Sequence, residues 1–232
     1  MTQQQTDLRR PGGQVIAIAA TIDTTRALSP DAVGRISEVC DRAEAADGTA
    51  VVVLRLTGSG DAEPWPGEVA IDLVGKWENA LRRLERLAAV TIAYADGACG
   101  PSALELLLTA DHRIAGERLR LDLRGGTWPG MAHFRLVKQI GLTRSRKLLR
   151  LTGPVGGELL VEFEVVDEIT ADLSARQAEI ASRAATRRGA DIALERQLLA
   201  EATSLEFEES LGTHLAAGDR LLRRQASAVV DG

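Results

Sequence analysis

Short apolar runs rich in β-branched residues alternate along this chain with longer stretches whose apolar residues recur every three or four positions. That alternation decides the fold class. "QVIAIAA" (14–20), "TAVVVLRL" (49–56) and "VTIAYA" (90–95) have strand length and strand composition. Between the first two lies "LSPDAVGRISEVCDRAEA", where Ser29 reads as a helix N-cap, Pro30 as the first helical residue, and Val33, Ile36 and Cys40 as one apolar face. Between the second and third, Val69, Leu73, Trp77, Leu81 and Leu84 recur at steps of four and three, as one buried helical stripe does. Buried strands linked by crossover helices pair in parallel, so an α/β fold is expected.

The remaining segments follow the same logic. "TGSGDAEPWPGE" (57–68) is rich in glycine and proline and reads as a loop. Beyond the third strand, "HRIA" and "RLRLDL" read as short strands, "GGTWPG" as a turn, and the next stretch as two helices split at "IGLT". "GGELLVEF" reads as a brief helix and "VVDEI" as a strand. From Asp172 onward the chain reads as helical and charged, with Phe207, Leu211, Leu215 and Leu222 on one face that covers the same domain or packs on a neighbouring subunit. The expected organisation is a flexible N-terminus (1–12), a core (13–170), a C-terminal helical region (171–226) for trimerisation or self-covering, and a tail (227–232).

Composition narrows the partners. With 45% apolar and 26% charged residues over 232 positions, the chain has room for one substantial core. No apolar run reaches the length a bilayer demands and the first residues lack the apolar heart of a signal peptide, so a cytoplasmic protein without membrane contact is expected. A net charge of −5 argues against nucleic-acid binding, and the arginine-dense stretch 135–150 reads as a solvated helix face. Cys40 and Cys99 show neither zinc nor disulfide spacing and read as reduced thiols. His112, His133 and His214 are scattered without a ligand pattern, so no metal is expected.

The stretch "DGACGPSALEL" (96–106) carries the chemistry. Asp96-Gly97 after a strand favours a tight turn, and Pro101 suits the first turn of a helix starting near Gly100 or Pro101. Such a start exposes unpaired N–H groups backed by the positive end of the helix dipole, a place for a negative oxygen. Glu105, one turn inside, would sit near that mouth as an acid or base. The same residues also spell Ser-x-x-Glu, a capping box in which Ser102 and Glu105 satisfy backbone N–H groups at the helix start. Local sequence leaves both readings open.

Taken in order, "ALSPDAVGRI", "VVVLRLTGSG", "LRRLERLAAVTIAYADG", "ALELLLTADHRIAGE", "GGTWPGMAHFRLVKQIG" and "LLRLTG" followed by "VVDEI" resemble the enoyl-CoA hydratase/isomerase (crotonase) superfamily. The resemblance implies a spiral of strand-strand-helix units forming two roughly perpendicular sheets, terminal helices that build homotrimers or hexamers, an acyl-CoA thioester as substrate, and no other cofactor. It also implies two backbone N–H groups that hold the thioester oxygen.

Carried over residue by residue, the second of these donors is Ser102 N–H, three positions before the first family glutamate, Glu105. The family's run of three glycines is replaced here by Gly100, Pro101 and Ser102. The first donor is Glu68 N–H after Gly67 in "WPGE", a looser match that lacks one residue and the usual aspartate. The second family glutamate falls on Asp122, one methylene shorter, when "GGTWPG" is aligned with the family's Leu-Gly-x-x-Pro-Gly turn; Asp122 reads equally as an exposed strand residue. Trp65, Gly67, Gly100 and Trp128, which belong to these turns, are the expected substrate-binding residues.

Within the superfamily, the short length, "TWPGMAHFRL" and the lost glycine triplet are most similar to the DpgB-type proteins of 3,5-dihydroxyphenylacetyl-CoA formation in peptide antibiotic biosynthesis. Those assist a type III polyketide synthase by promoting dehydration and aromatisation of its product. The resemblance thus implies a dehydratase or hydratase-like lyase acting on a polyketide-CoA thioester, with the synthase and a second crotonase-like protein as possible partners. A non-catalytic partner of the synthase and a general short-chain enoyl-CoA hydratase are the alternatives.

Overall fold

The computed structural model describes residues 15–46 and 49–230, the last of them (224–230) as backbone only. The expected flexible N-terminus lies outside the described residues. Strand β1 (Val15–Asp23) leads into helix α1 (Pro30–Glu44), where Ser29 Oγ accepts from Ala32 N–H at 3.2 Å and Pro30 opens the helix, as its sequence predicts. β2 (Thr49–Thr57) and α2 (Ile71–Glu85) follow, with Val74, Trp77, Ala80, Leu81 and Leu84 buried along α2. Val69, expected in that stripe, precedes the helix and packs against the core from the loop.

The chain then runs through β3 (Ala89–Ala95), β4 (Ala98–Cys99), α3 (Pro101–Leu107), β5 (His112–Gly116), β6 (Arg120–Leu121), α4 (Ala132–Leu148), β7 (Val155–Gly156), α5 (Gly157–Glu162) and β8 (Glu168–Thr170). Helices α6 (Leu173–Ala184), α7 (Gly189–Ala202) and α8 (Phe207–Val230) complete it, so α8 continues into residues read as tail. Two sheets result. One is five-stranded and wholly parallel, in the order β1-β2-β3-β5-β8; the other joins β4, β6 and β7. The strand expected over "RLRLDL" shrinks to two residues because Asp122 Oδ1 accepts from Arg124 N–H at 3.0 Å and turns the chain. The split at "IGLT" is real: Gly141 adopts φ 77°, ψ 161° inside α4.

Both faces of the large sheet are covered, as a parallel sheet requires. Val52, Leu54 and Leu56 of β2 join the main core, whereas Val51 and Val53 face a second cluster formed with Leu173, Ile180, Ala181, Ala184 and Ile192 of α6 and α7. The C-terminal region therefore covers its own domain through α6 and α7. Its last helix packs in part, with Ala217 buried, but leaves an apolar face open: Phe207, Leu215 and Leu222 of α8 remain 72%, 65% and 68% exposed. Among the described residues no helix is long and apolar enough to cross a membrane.

Candidate active site

β3 ends at Ala95, and Gly97 at φ 69° turns the chain toward the small sheet, while Asp96 takes Arg118 N–H at 3.2 Å and its guanidinium at 2.5 Å. Gly100 is then the N-cap of α3 and Pro101 its first residue, as the sequence predicts. No side chain caps this helix. The capping-box reading therefore falls: Ser102 Oγ donates to Thr24 O at 3.2 Å, and Glu105 faces inward. The reason lies outside the segment, since Thr24 occupies the space over the helix start and its hydroxyl accepts from Gly100 N–H at 3.2 Å. Ser102 N–H has no hydrogen-bond partner among the described residues.

Glu105 is only 1% exposed. Its Oε2 accepts from Trp77 Nε1–H at 2.5 Å. Trp65 packs edge-on against Trp77, ring centroids 5.7 Å apart. Burial raises the Glu105 pKa to about 7; the Trp77 hydrogen bond opposes that rise, the nearby Glu78 carboxylate adds to it, and Trp65 and Arg135 oppose it. A buried carboxyl poised near neutrality takes and returns protons readily.

Trp65 is held from two sides. Its N–H donates to Gly125 O at 3.1 Å, and its O accepts from Thr127 N–H at 2.8 Å. Beyond the cis Trp65–Pro66 bond, Leu28 N–H donates to Pro66 O at 2.9 Å, and Gly67, at φ 84°, leaves only 2.8 Å between an imagined Cβ and Ala27. The same 125–128 segment carries Trp128, buried at φ 52°, its ring lying over Gly126 and edge-on to His133. Long-range pairing thus gathers Trp65, Gly67 and Trp128 around one wall and seats Trp65 against Trp77, the hydrogen-bond partner of Glu105. Glu68 follows on the exposed side of its loop.

Asp122 is near this region through its backbone, where its N–H donates to Cys99 O at 2.8 Å. Its carboxylate turns to Arg124 instead, with contacts of 2.5 to 3.1 Å. The Arg124 guanidinium holds it below the usual carboxylate range, so it is ionised at neutral pH and accepts hydrogen bonds. No hydrogen bond joins Asp122 to Glu105 among the described residues.

Three participants escaped the sequence reading. Trp77 was legible as a core residue, but its N–H, the polar handle of a buried indole, was the missed signal. Arg135 on α4 is 7% exposed and bridges Glu78 at 2.9 Å and Glu85 at 2.6 Å. Glu78 also accepts from Met131 N–H at 2.8 Å, which seats the start of α4 on α2. A charged pair on two amphipathic helices gives no local sign that the tertiary fold will bury it. Cys40 and Cys99 are both free and buried.

A parallel sheet flanked by helices, a smaller second sheet, and a short helix presenting a buried glutamate define a crotonase-type α/β protein. Solved structures agree on the fold: an enoyl-CoA hydratase from Bacillus anthracis is 20% identical with a TM-score of 0.72, over 95% of this chain and 92% of that one. A putative enoyl-CoA hydratase/isomerase from Mycobacterium abscessus is 21% identical with a TM-score of 0.74, over 98% and 95%. An "Enoyl-CoA-hydratase" from Amycolatopsis orientalis is 43% identical over 210 residues, 89% of this chain and 96% of that protein. Compared with models of known protein families, the chain matches none. The Amycolatopsis similarity is extensive enough to place it: the chain belongs to the enoyl-CoA hydratase/isomerase (crotonase) superfamily.

Proposed function

We propose that this chain is a hydratase-like lyase that eliminates water from a β-hydroxyacyl or polyketide CoA thioester, with dehydration and aromatisation during 3,5-dihydroxyphenylacetyl-CoA formation as its role. The observation that carries the proposal is Glu105, a buried carboxyl with its pKa raised to about 7, three residues after the unpartnered N–H of Ser102. Ser102 N–H and Glu68 N–H hold the thioester oxygen. Glu105 takes the α-proton as its electron pair moves onto that oxygen, where preorganised donors stabilise the enolate. The enolate then collapses, the β C–O bond breaks, and the proton on Glu105 leaves with the hydroxyl as water. Asp122, already a carboxylate, accepts a hydrogen bond from the departing group rather than supplying its proton. The net reaction is redox-neutral and calls for no cofactor beyond the CoA thioester itself.

Glu105 is enclosed beside Trp77, against which Trp65 packs, and Trp65, Gly67, Gly100 and Trp128 are the residues that line the acyl group in this reading. The exposed apolar face of α8 supports an assembly of copies, a homotrimer or hexamer, formed by the helical region beyond residue 170. The same enclosure, together with the Asp122–Arg124 pair, favours a second reading: a non-catalytic partner of a type III polyketide synthase. The name of the Amycolatopsis relative supports a third, general enoyl-CoA hydration.

The test is the acyl-CoA product mixture of a type III polyketide synthase alone, with this protein, and with its Glu105→Gln variant. The proposal expects a dehydrated, aromatised product with the wild type alone. Equal stimulation by the variant favours the partner reading, and an unchanged mixture with steady hydration of crotonyl-CoA favours the third.

A further inference from the structure

The buried groups behind Glu105 are not used by the reaction as drawn, and they pull on its proton in opposite directions. Trp77 Nε1–H donates to Glu105 Oε2 at 2.5 Å, a contact that strengthens as negative charge grows on the oxygen. Glu78, on the next position of α2, is held by Met131 N–H and by Arg135, which is itself held by Glu85, and its like charge works against ionisation of Glu105. These five side chains span α2, α3 and α4, and all but Glu78 and Glu85, at 13% and 31% side-chain exposure, are almost completely enclosed.

The geometry points to Trp77 as a positioning residue for Glu105, opposed by Glu78, which Arg135 and Met131 N–H hold in place, so that within a buried site this pair adjusts when Glu105 holds its proton. Of the other elements packed on α3, α4 brings the one charge that acts on Glu105 among the described residues. β3 contributes no charged residue, and its Tyr94 packs with the second core cluster on the opposite face. On the β6 side, Arg120 donates to Leu119 O and Asp122 is occupied by Arg124. From α4, Arg135, paired with Glu78 and Glu85, also favours the Glu105 carboxylate, on the same side as Trp77. The effect of the pair agrees in sign with the influence of Trp77 and Glu78 on Glu105.

The inference rests on Glu105 being the acid/base, yet it can be tested without turnover. In the full-length protein, the indole N–H resonances of the three tryptophans, assigned with Trp65→Phe, Trp77→Phe and Trp128→Phe, are followed by NMR from about pH 5 to about pH 9. The Trp77 resonance should move with a midpoint near that of Glu105 and stop moving in Glu105→Gln. In Glu78→Gln the midpoint should fall by about one pH unit, because a like charge is gone. In Trp77→Phe the Trp65 resonance should report a higher midpoint, because a donor to the carboxylate is gone. If that variant does not fold, Glu78→Gln carries the test alone.

A Trp77 resonance that is flat over this range, that titrates unchanged in Glu105→Gln, or whose midpoint does not fall in Glu78→Gln overturns the inference. If these titrations behave as expected while no acyl-CoA thioester is turned over, the positioning inference stands and the catalytic reading fails. Where turnover is measured, the corresponding limb of the pH profile should shift in the same two opposite directions, which a merely structural role for Trp77 would not produce.

Discussion

Thr24 and Gly100 lock the start of α3 in place: Thr24 Oγ1 accepts from Gly100 N–H at 3.2 Å, and a Cβ on Gly100 would lie 2.3 Å from Thr24 O. The contact is backbone against backbone, so neither side yields cheaply. Gly100→Ala should cost about 1–3 kcal/mol of stability, the usual range for forced overpacking, read as a lower urea midpoint at unchanged slope. An unchanged midpoint would mean that the turn has slack there.

Glu105 also makes stability depend on pH. Its folded pKa, about 7, lies above the ordinary glutamate value of 4.5, so the unfolded chain ionises first. Its contribution is fully present below about pH 4.5 and is lost as pH rises through about 7, a loss of about 3 kcal/mol. Denaturation of wild type and Glu105→Gln across that window should show the variant gaining relative stability as pH rises. Parallel curves would contradict the assigned environment.

Arg196 of α7 donates to Asp111 at 2.6 and 2.8 Å and to the carbonyls of Glu85, Leu87 and Ala89 at 2.8 to 2.9 Å. One guanidinium thus ties α7 to the α2–β3 connection. Arg196→Ala removes all of these bonds, leaving Asp111 only its bonds from Thr91, and should cost about 2–4 kcal/mol, with faster amide exchange in α7 than in β2. Uniform exchange throughout would show that α7 is held by its apolar face alone.

Asp122, drawn to Arg124, is placed as an acceptor. On the proposed mechanism, Asp122→Asn should lower kcat by no more than about 10-fold, while Glu105→Gln should lower it by about 10²–10⁴-fold, the range of general acid–base catalysis. Steady-state kinetics on a β-hydroxyacyl-CoA checks the ordering, and equal losses would give Asp122 a proton-transfer role.

Much of the fold was legible because its signals are local. Ser29-Pro30 announced a helix start, "TAVVVLRL" a strand buried on both faces, and the glycine of "IGLT" a helix break; each depends on residues within one or two turns. The site was legible only in part. Glu105 and the start of α3 could be placed, but Ser-x-x-Glu also spelled a capping box, and only Thr24, 78 positions earlier than Ser102, excludes it. The Trp77 N–H and the Glu78–Arg135 pair stayed hidden for the same reason. Hydrophobic periodicity reports which face is buried, not which polar atom on that face finds a partner.

The central claim is that Glu105 removes a proton from the α-carbon of a thioester held at the start of α3. The most direct measurement is exchange of that proton for deuterium in heavy water, followed by NMR on a β-hydroxyacyl-CoA with wild type and with Glu105→Gln. The account predicts rapid exchange with the wild type and a loss of about 100-fold or more with the variant. Exchange at the same rate by both proteins would contradict it.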